Sequence, residues 1–407
     1  MSKLAICNGF LLTVTQGEFA KGTILIEDGK ITAIGGADLA VPEDFDTIDA
    51  GGLIVTPGLI DAHSHLALFG DPNTWATADG NEKTGPIQAR LRGIDSFNPR
   101  DPAIPVVRSG GVTAVYTGPG SSNIIGGTGF SIKLKNTALA SEMLIPGSEM
   151  MKMALGENPK RNYQNTPNGP ATRMGNAAVL RDALAKAQNY LNKINQAEAD
   201  SKPAPDREIG WEALIPVLQG TMKARIHAHR ADDIMTAIRI AEEFNLTYCI
   251  EHCTEGYLIA DALAEKQIEC VVGPLLMGHS KHELWEVSLQ NPAILNKAGI
   301  KMAIMVDSSA DTQYLRIQTG IAIREGLDRD EALRAITIVP AEIMGLADRI
   351  GSIEVGKDAD LALFDGDPFS NLTNCIFTII EGEVVYQMGS CDCGCDCGEH
   401  GHHHHHH

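Results

Sequence analysis

Two patterns of apolar and polar positions divide the chain. At the amino end, short β-prone runs alternate with turn signals. Residues 4–14 are apolar, 23–26 lead through the turn Glu27-Asp28-Gly29-Lys30 into 31–34, and 47–55 form another run. The carboxyl end repeats this style at 351–356, 359–364, 376–380 and 384–386, with Asp-Gly and Glu-Gly turns between runs. Two terminal pieces of matching character predict one small β-sandwich, built from residues 1–56 plus 349–388.

The middle reads differently. From 57 to 348, short apolar runs alternate with helical stretches, as βα units of a parallel sheet do. The strand candidates are 59–65, 113–117, 130–135, 150–155, 223–229, 247–252, 270–274 and 301–307. Helical periodicity marks 177–193, 232–244, 258–265 and 330–336. Eight strands in this order predict an α/β chain with a (β/α)8 TIM barrel over 57–348. The connection 156–210 is long for one strand-to-helix step. Such a segment either covers an active site or is a surface excursion.

Composition narrows the partners. The chain has 407 residues, 43% of them hydrophobic, which suffices for a barrel-sized core. A net charge of −19 argues against nucleic acid and anionic membranes. No apolar window is long enough to span a bilayer, and the first residues lack the apolar core of a secretion signal. Cys7, Cys249, Cys253, Cys270 and Cys375 are scattered among apolar residues, as buried thiols of a reduced compartment are, so a cytoplasmic protein is expected. Residues 389–407 are set aside as a disordered tail. They carry Cys391, Cys393, Cys395 and Cys397 and end in a purification tag, His402 to His407. A homo-oligomer is compatible with the sequence, which does not set the oligomeric state.

The chemistry concentrates in the histidines. The run Leu53 to Ile60 ends in Asp61-Ala62-His63-Ser64-His65, and residues two apart in a strand share a face. His63 and His65 can aim two imidazoles at one metal ion, or be incidental at a strand end. Outside the tail, the histidines are 63, 65, 227, 229, 252, 279 and 282. The first five sit at the C-terminal ends of predicted strands one, five and six, the face where barrel active sites lie. That clustering favours a metal site. His279 and His282 fall in a polar loop and are expected on the surface. Gly118-Pro119-Gly120 with Gly126-Gly127 lacks the Gly-Lys-Ser/Thr of a phosphate loop and reads as a tight loop at the barrel mouth.

The chain resembles the amidohydrolase superfamily. The residues carrying the resemblance are Pro57 to His65, Ile226-His227-Ala228-His229, Ile250-Glu251-His252-Cys253-Thr254, Met305-Val306-Asp307 and Gly351 to Leu361. It covers nearly the whole chain and is strongest toward the imidazolonepropionase-like and Xaa-Pro-dipeptidase-like branches. It implies a metal-dependent hydrolase of a C–N bond in a small molecule. His63, His65, His227 and His252 match the family's ligands, and Asp307 its metal-touching proton shuttle. Lys152 matches a bridging carboxylated lysine, since burial in Met151-Lys152-Met153-Ala154 lowers an amine's pKa and frees it to react with carbon dioxide. Glu157 is the rival bridge, and a single-metal site the third option. His229 lies beyond the strand end and is expected on the substrate or supporting the ligands rather than as a ligand itself. Arg230 either holds a substrate carboxylate bidentately or is a solvated strand-end arginine.

The implied mechanism is attack by metal-activated hydroxide, with one or two divalent ions. Zinc fits a site of histidines and carboxylate best; manganese or iron also serves. Two alternatives stay open: a deaminase or cyclic-amide hydrolase of the same superfamily, and a scaffold without catalysis. The family's deaminases place a glutamate three residues after the strand-five histidine, where this chain has Arg230.

Overall fold

A computed structural model describes residues 2–390, so the cysteine-rich tail and the tag lie outside the described residues. The amino end forms β1 (Lys3–Leu12), β2 (Glu18–Glu27), β3 (Lys30–Gly35), β4 (Asp46–Asp49) and β5 (Ile54–Pro57). The central strands are β6 (Leu59–Ser64), β7 (Val112–Thr117), β8 (Ile125–Lys133), β9 (Met150–Ala154), β10 (Ala224–Ala228), β11 (Tyr248–His252), β12 (Glu269–Val272) and β13 (Lys301–Ile304). The carboxyl end adds β14 (Leu361–Phe364), β15 (Cys375–Ile380) and β16 (Glu383–Gln387).

The two ends share one sheet in the order β16-β15-β14-β5-β1-β2-β3, with β4 beside β1. The joint is the antiparallel pair β5–β14, where Val55 faces Leu363. The sheet curls back on itself. Gly356 N donates to Ile31 O at 2.8 Å and Ala359 N to Gly29 O at 2.8 Å. Ile6, Leu11, Ile24, Ile26, Val55, Leu361 and Ile379 fill the shell so formed. On this pairing we propose that the chain divides between the two units near residues 57 and 349.

The central sheet runs β13-β12-β11-β10-β9-β8-β7-β6. Its strands are buried almost throughout, as strands covered on both faces must be. The seam between β13 and β6 is closed by residues from the end of the chain's helical region. Ile304 N donates to Ala335 O at 3.0 Å and Ile60 N to Ile336 O at 2.8 Å. The Asp61 carboxylate crosses the seam, accepting from Val306 N at 3.2 Å. Ile60, Ala62, Tyr116, Met150, Cys249, Val271, Ala303 and Met305 pack the barrel interior.

Two of the expected strands need correction. The third strand begins at Ile125 rather than 130, and it runs antiparallel to both neighbours. Only Gly118–Ile124 separates it from β7. A parallel return needs a crossover of about a dozen residues or more, so a chain turning this soon must come back antiparallel. The eighth strand also ends earlier, at Ile304, leaving Asp307 three residues beyond the ladder. The long connection holds two helices, Glu157–Tyr163 and Arg173–Ala199.

Candidate metal centre

Register sets the inward residues. Lys152 on β9 stands opposite Arg225 on β10, and His227 opposite Glu251 on β11. Arg225 and His227 are two apart, so all four share the inner face. Alternation alone would send His252 outward, away from Glu251. His252 has φ +70°, and this left-handed turn brings its ring over the mouth. Asp307, at φ +57°, is turned in the same way at the end of β13. Non-glycine residues held in this region cost on the order of 1–3 kcal/mol each and cluster at functional sites.

Two triads result. In one, His227, His229 and His252 bring ring nitrogens within 4.8 Å of one another. In the other, His63, His65 and an Asp307 oxygen do the same. His63 Nε2 lies 2.7 Å and His65 Nε2 2.9 Å from Asp307 Oδ1. His252 Nε2 lies 3.8 Å from the other oxygen of Asp307, which joins the triads.

Protein oxygens hold the far nitrogens. His65 Nδ1 is 2.8 Å from Gly118 O, and His252 Nδ1 is 2.7 Å from Gly273 O. A carbonyl only accepts, so each Nδ1 carries the proton and each Nε2 keeps its lone pair for the centre. His63 Nδ1 meets Glu251 Oε1 at 2.8 Å, and His229 Nδ1 meets Thr254 Oγ1 at 2.6 Å. His227 is different: it is buried, and neither ring nitrogen has a partner. Burial without partners is costly for an imidazole.

Electrostatics prepare the same groups. Burial, then the neighbouring histidines, lowers His227 and His229 well below the ordinary histidine value. Burial lowers His252 to about 4. All three are therefore neutral near pH 7, the form that binds metal. Burial works against the Asp307 carboxylate, but the neighbouring His63 and His252 hold it well below its usual range. Neutral imidazoles, one anionic carboxylate and an orphaned His227 make a donor set that fits a divalent ion.

The remaining expected residues fall as follows. Lys152 is buried between β8 and β10, with its ammonium against Glu251 Oε2. Glu157 starts its helix instead of reaching the histidines. Its backbone N donates to Glu283 Oε2 at 2.9 Å, and Glu283 N returns a bond to Glu157 Oε2 at 3.4 Å. Arg230 is not brought to the triads: Nε and Nη2 donate to Asp232 at 2.9 and 2.6 Å, at the start of the helix Ala231–Glu243. His229, expected on the substrate, stands in a triad. His279 and His282 are exposed. Outside the triads, a cavity of about 400 Å³ opens along His65, Phe69, Asp307, Ser308 and Asp311.

Sequence reasoning gave no role to Glu251 and Arg225, both fully buried. The signal was present: a carboxylate and a guanidinium inside apolar strand runs persist only when paired.

Residues 221–388 match the amidohydrolase family. The chain is 40% identical to an amidohydrolase from Thermotoga maritima MSB8, with a TM-score of 0.91 over 94% of this chain and 100% of that one. It is 29% identical to the amidohydrolase tasK of Hapsidospora irregularis over 85% of this chain, and spans only 38% of that longer protein. It is 25% identical to an imidazolonepropionase of Maricaulis maris, over 86% of this chain and 88% of that protein.

Proposed function

Because the chain belongs to the amidohydrolase family, we propose that it hydrolyses a C–N bond, an amide, dipeptide or cyclic amide, in a small-molecule substrate. The meeting of two triads at Asp307 carries this reading. His63, His65 and Asp307 would hold one ion, and His227, His252 and His229 the other, with zinc favoured over manganese or iron. Bound there, a divalent ion lowers the pKa of water to about 7 and polarises a carbonyl oxygen.

The chain's own residues do the rest. Asp307, kept anionic, accepts the proton of the attacking water. Its conjugate acid then delivers that proton to the leaving nitrogen. The neutral histidines stay available as lone-pair donors and do not compete for this proton. Lys152, carboxylated, would supply the bridging anion, and Arg225 offsets the resulting pair of neighbouring anions. The cavity beside His65 and Asp307 is the place for the substrate. A deaminase reading is weaker, since Arg230 occupies the glutamate position of those enzymes and is tied to Asp232.

The test is metal analysis of the purified protein together with a screen of dipeptides, N-acyl amino acids and cyclic amides. We expect one or two equivalents of a divalent metal and turnover within that panel. His227→Ala should lose most of one equivalent, and Lys152→Ala should lose the second metal, with partial rescue by bicarbonate or short carboxylates. A protein that binds no divalent metal would overturn the reading.

A further inference from the structure

We propose that Glu251 is the positioning residue that fixes His63 for metal binding, and that Arg225 is the clamp that holds Glu251 in place. The inference rests on the ligand reading above and adds two residues to it. Glu251 is fully buried and has each oxygen engaged. Oε1 meets His63 Nδ1 at 2.8 Å and accepts from Arg225 Nε at 2.5 Å. Oε2 accepts from the Lys152 side-chain nitrogen.

Arg225 is the largest of the fully buried side chains, and its surroundings hold it in one pose. Its guanidinium lies 3.7 Å from the centre of the Tyr116 ring. Its Nη2 donates to the Ala62 carbonyl, on the ligand strand one residue before His63. One guanidinium therefore grips the backbone of the ligand strand and, through Glu251, the side chain of its first ligand.

The chemistry separates His63 from the other ligands. His65 and His252 place Nδ1 on neutral backbone carbonyls. His63 places it on a carboxylate, and a charge-assisted bond is the stronger of the two. Such a partner fixes the ring, selects the tautomer with a free Nε2 and makes that nitrogen a better donor. Losing a partner of this kind costs about 10–100-fold in metal affinity.

The experiment compares wild type, Glu251→Gln, Glu251→Asp, Arg225→Lys and His63→Ala. Zinc affinity is read by chelator competition, folding by circular dichroism of the metal-free proteins, and the His63 tautomer by nitrogen NMR. We expect Glu251→Gln to keep its fold, lose about 10–100-fold in zinc affinity and shift the Nδ1 resonance. Glu251→Asp, which keeps the charge beside Arg225 but withdraws it from His63, should fall between. Arg225→Lys, which keeps the charge but not the two-point grip, should weaken zinc in the same direction. A folded Glu251→Gln with wild-type affinity would sink the inference. If that variant does not fold, wild-type affinity in Glu251→Asp does so instead. Full zinc retention by His63→Ala would instead defeat the ligand set itself. Loss in His63→Ala beside retention in Glu251→Gln defeats this inference alone.

Discussion

At the scale of single residues, Asp307 carries the most. It belongs to the triad of His63 and His65 and reaches His252 of the other at 3.8 Å, and its backbone is held in a conformation that aspartate seldom adopts. General acid–base groups contribute about 10²–10⁴-fold to rate. Asp307→Asn should keep the fold and at least one metal while kcat falls by about that factor. Asp311 lines the same cavity but is exposed, and belongs to neither triad. Steady-state kinetics on Asp307→Asn and Asp311→Asn, with one substrate, decide the matter: near-full turnover in the first, or a larger loss in the second, contradicts the assignment. His63, His65, His227 and His252 were legible as candidates because histidines at strand ends stand out in an apolar pattern, and Asp307 through the family resemblance. The part taken by His229, and the turn that brings His252 back over the mouth, were not legible, since they depend on the backbone beyond the last ladder bond.

At the scale of elements, the joint between the two sheets is built with no spare room. Gly58 links β5 to β6 and donates to Asp360 O at 2.8 Å. A Cβ placed there would lie 2.0 Å from Thr113 Oγ1 and 2.6 Å from Thr113 Cβ, on β7. Either β6 or β7 must then shift. Overpacking of this kind costs about 1–3 kcal/mol. Gly58→Ala should lower the denaturation midpoint accordingly, and an unchanged midpoint would show that the strands yield at no cost. The antiparallel β8 has a similarly local cause. Its direction follows from the shortness of Gly118–Ile124, which a strand placed at 130–135 conceals.

At the scale of the whole molecule, a buried charge cluster ties the small sheet to the barrel. Lys133, at the end of β8, donates to Asp358 at 2.5 Å and reaches Asp360 Oδ2 at 3.0 Å, while Lys30 and Arg349 also grip Asp358. Burial opposes the Asp358 charge, yet Lys133 and Lys30 lower its carboxyl to about 2, below the ordinary aspartate value of about 3.9. A depressed folded-state pKa adds stability that is present above the unfolded value and lost as pH falls through the folded one. The Asp358 pairings should therefore contribute fully above about pH 4 and progressively less toward pH 2, whereas burial raises the carboxyl of Asp360. Lys133→Met leaves Asp360 buried without its cation, and breaking a buried pair from one side costs about 3–5 kcal/mol. Denaturant titrations should show that loss at neutral pH, and a variant less sensitive than wild type between pH 4 and 2. Equal stability of variant and wild type at neutral pH would mean that the cluster contributes nothing net.

What the sequence determined by itself is what periodicity and residue chemistry encode locally: strands at all eight central positions, β-rich ends, and imidazoles gathered at strand ends. What only the tertiary structure decided is what depends on pairing between distant segments. The sequence shows Glu251 and Arg225 as charges in apolar strands, but not that Glu251 reaches His63, 188 positions away. It shows Asp358 and Asp360 in a turn-rich motif, but not that Lys133, more than 200 positions earlier, is their cation. A strand's pattern reports which face is buried. The identity of the neighbour on that face is set by barrel closure, which brings together residues that no local pattern relates.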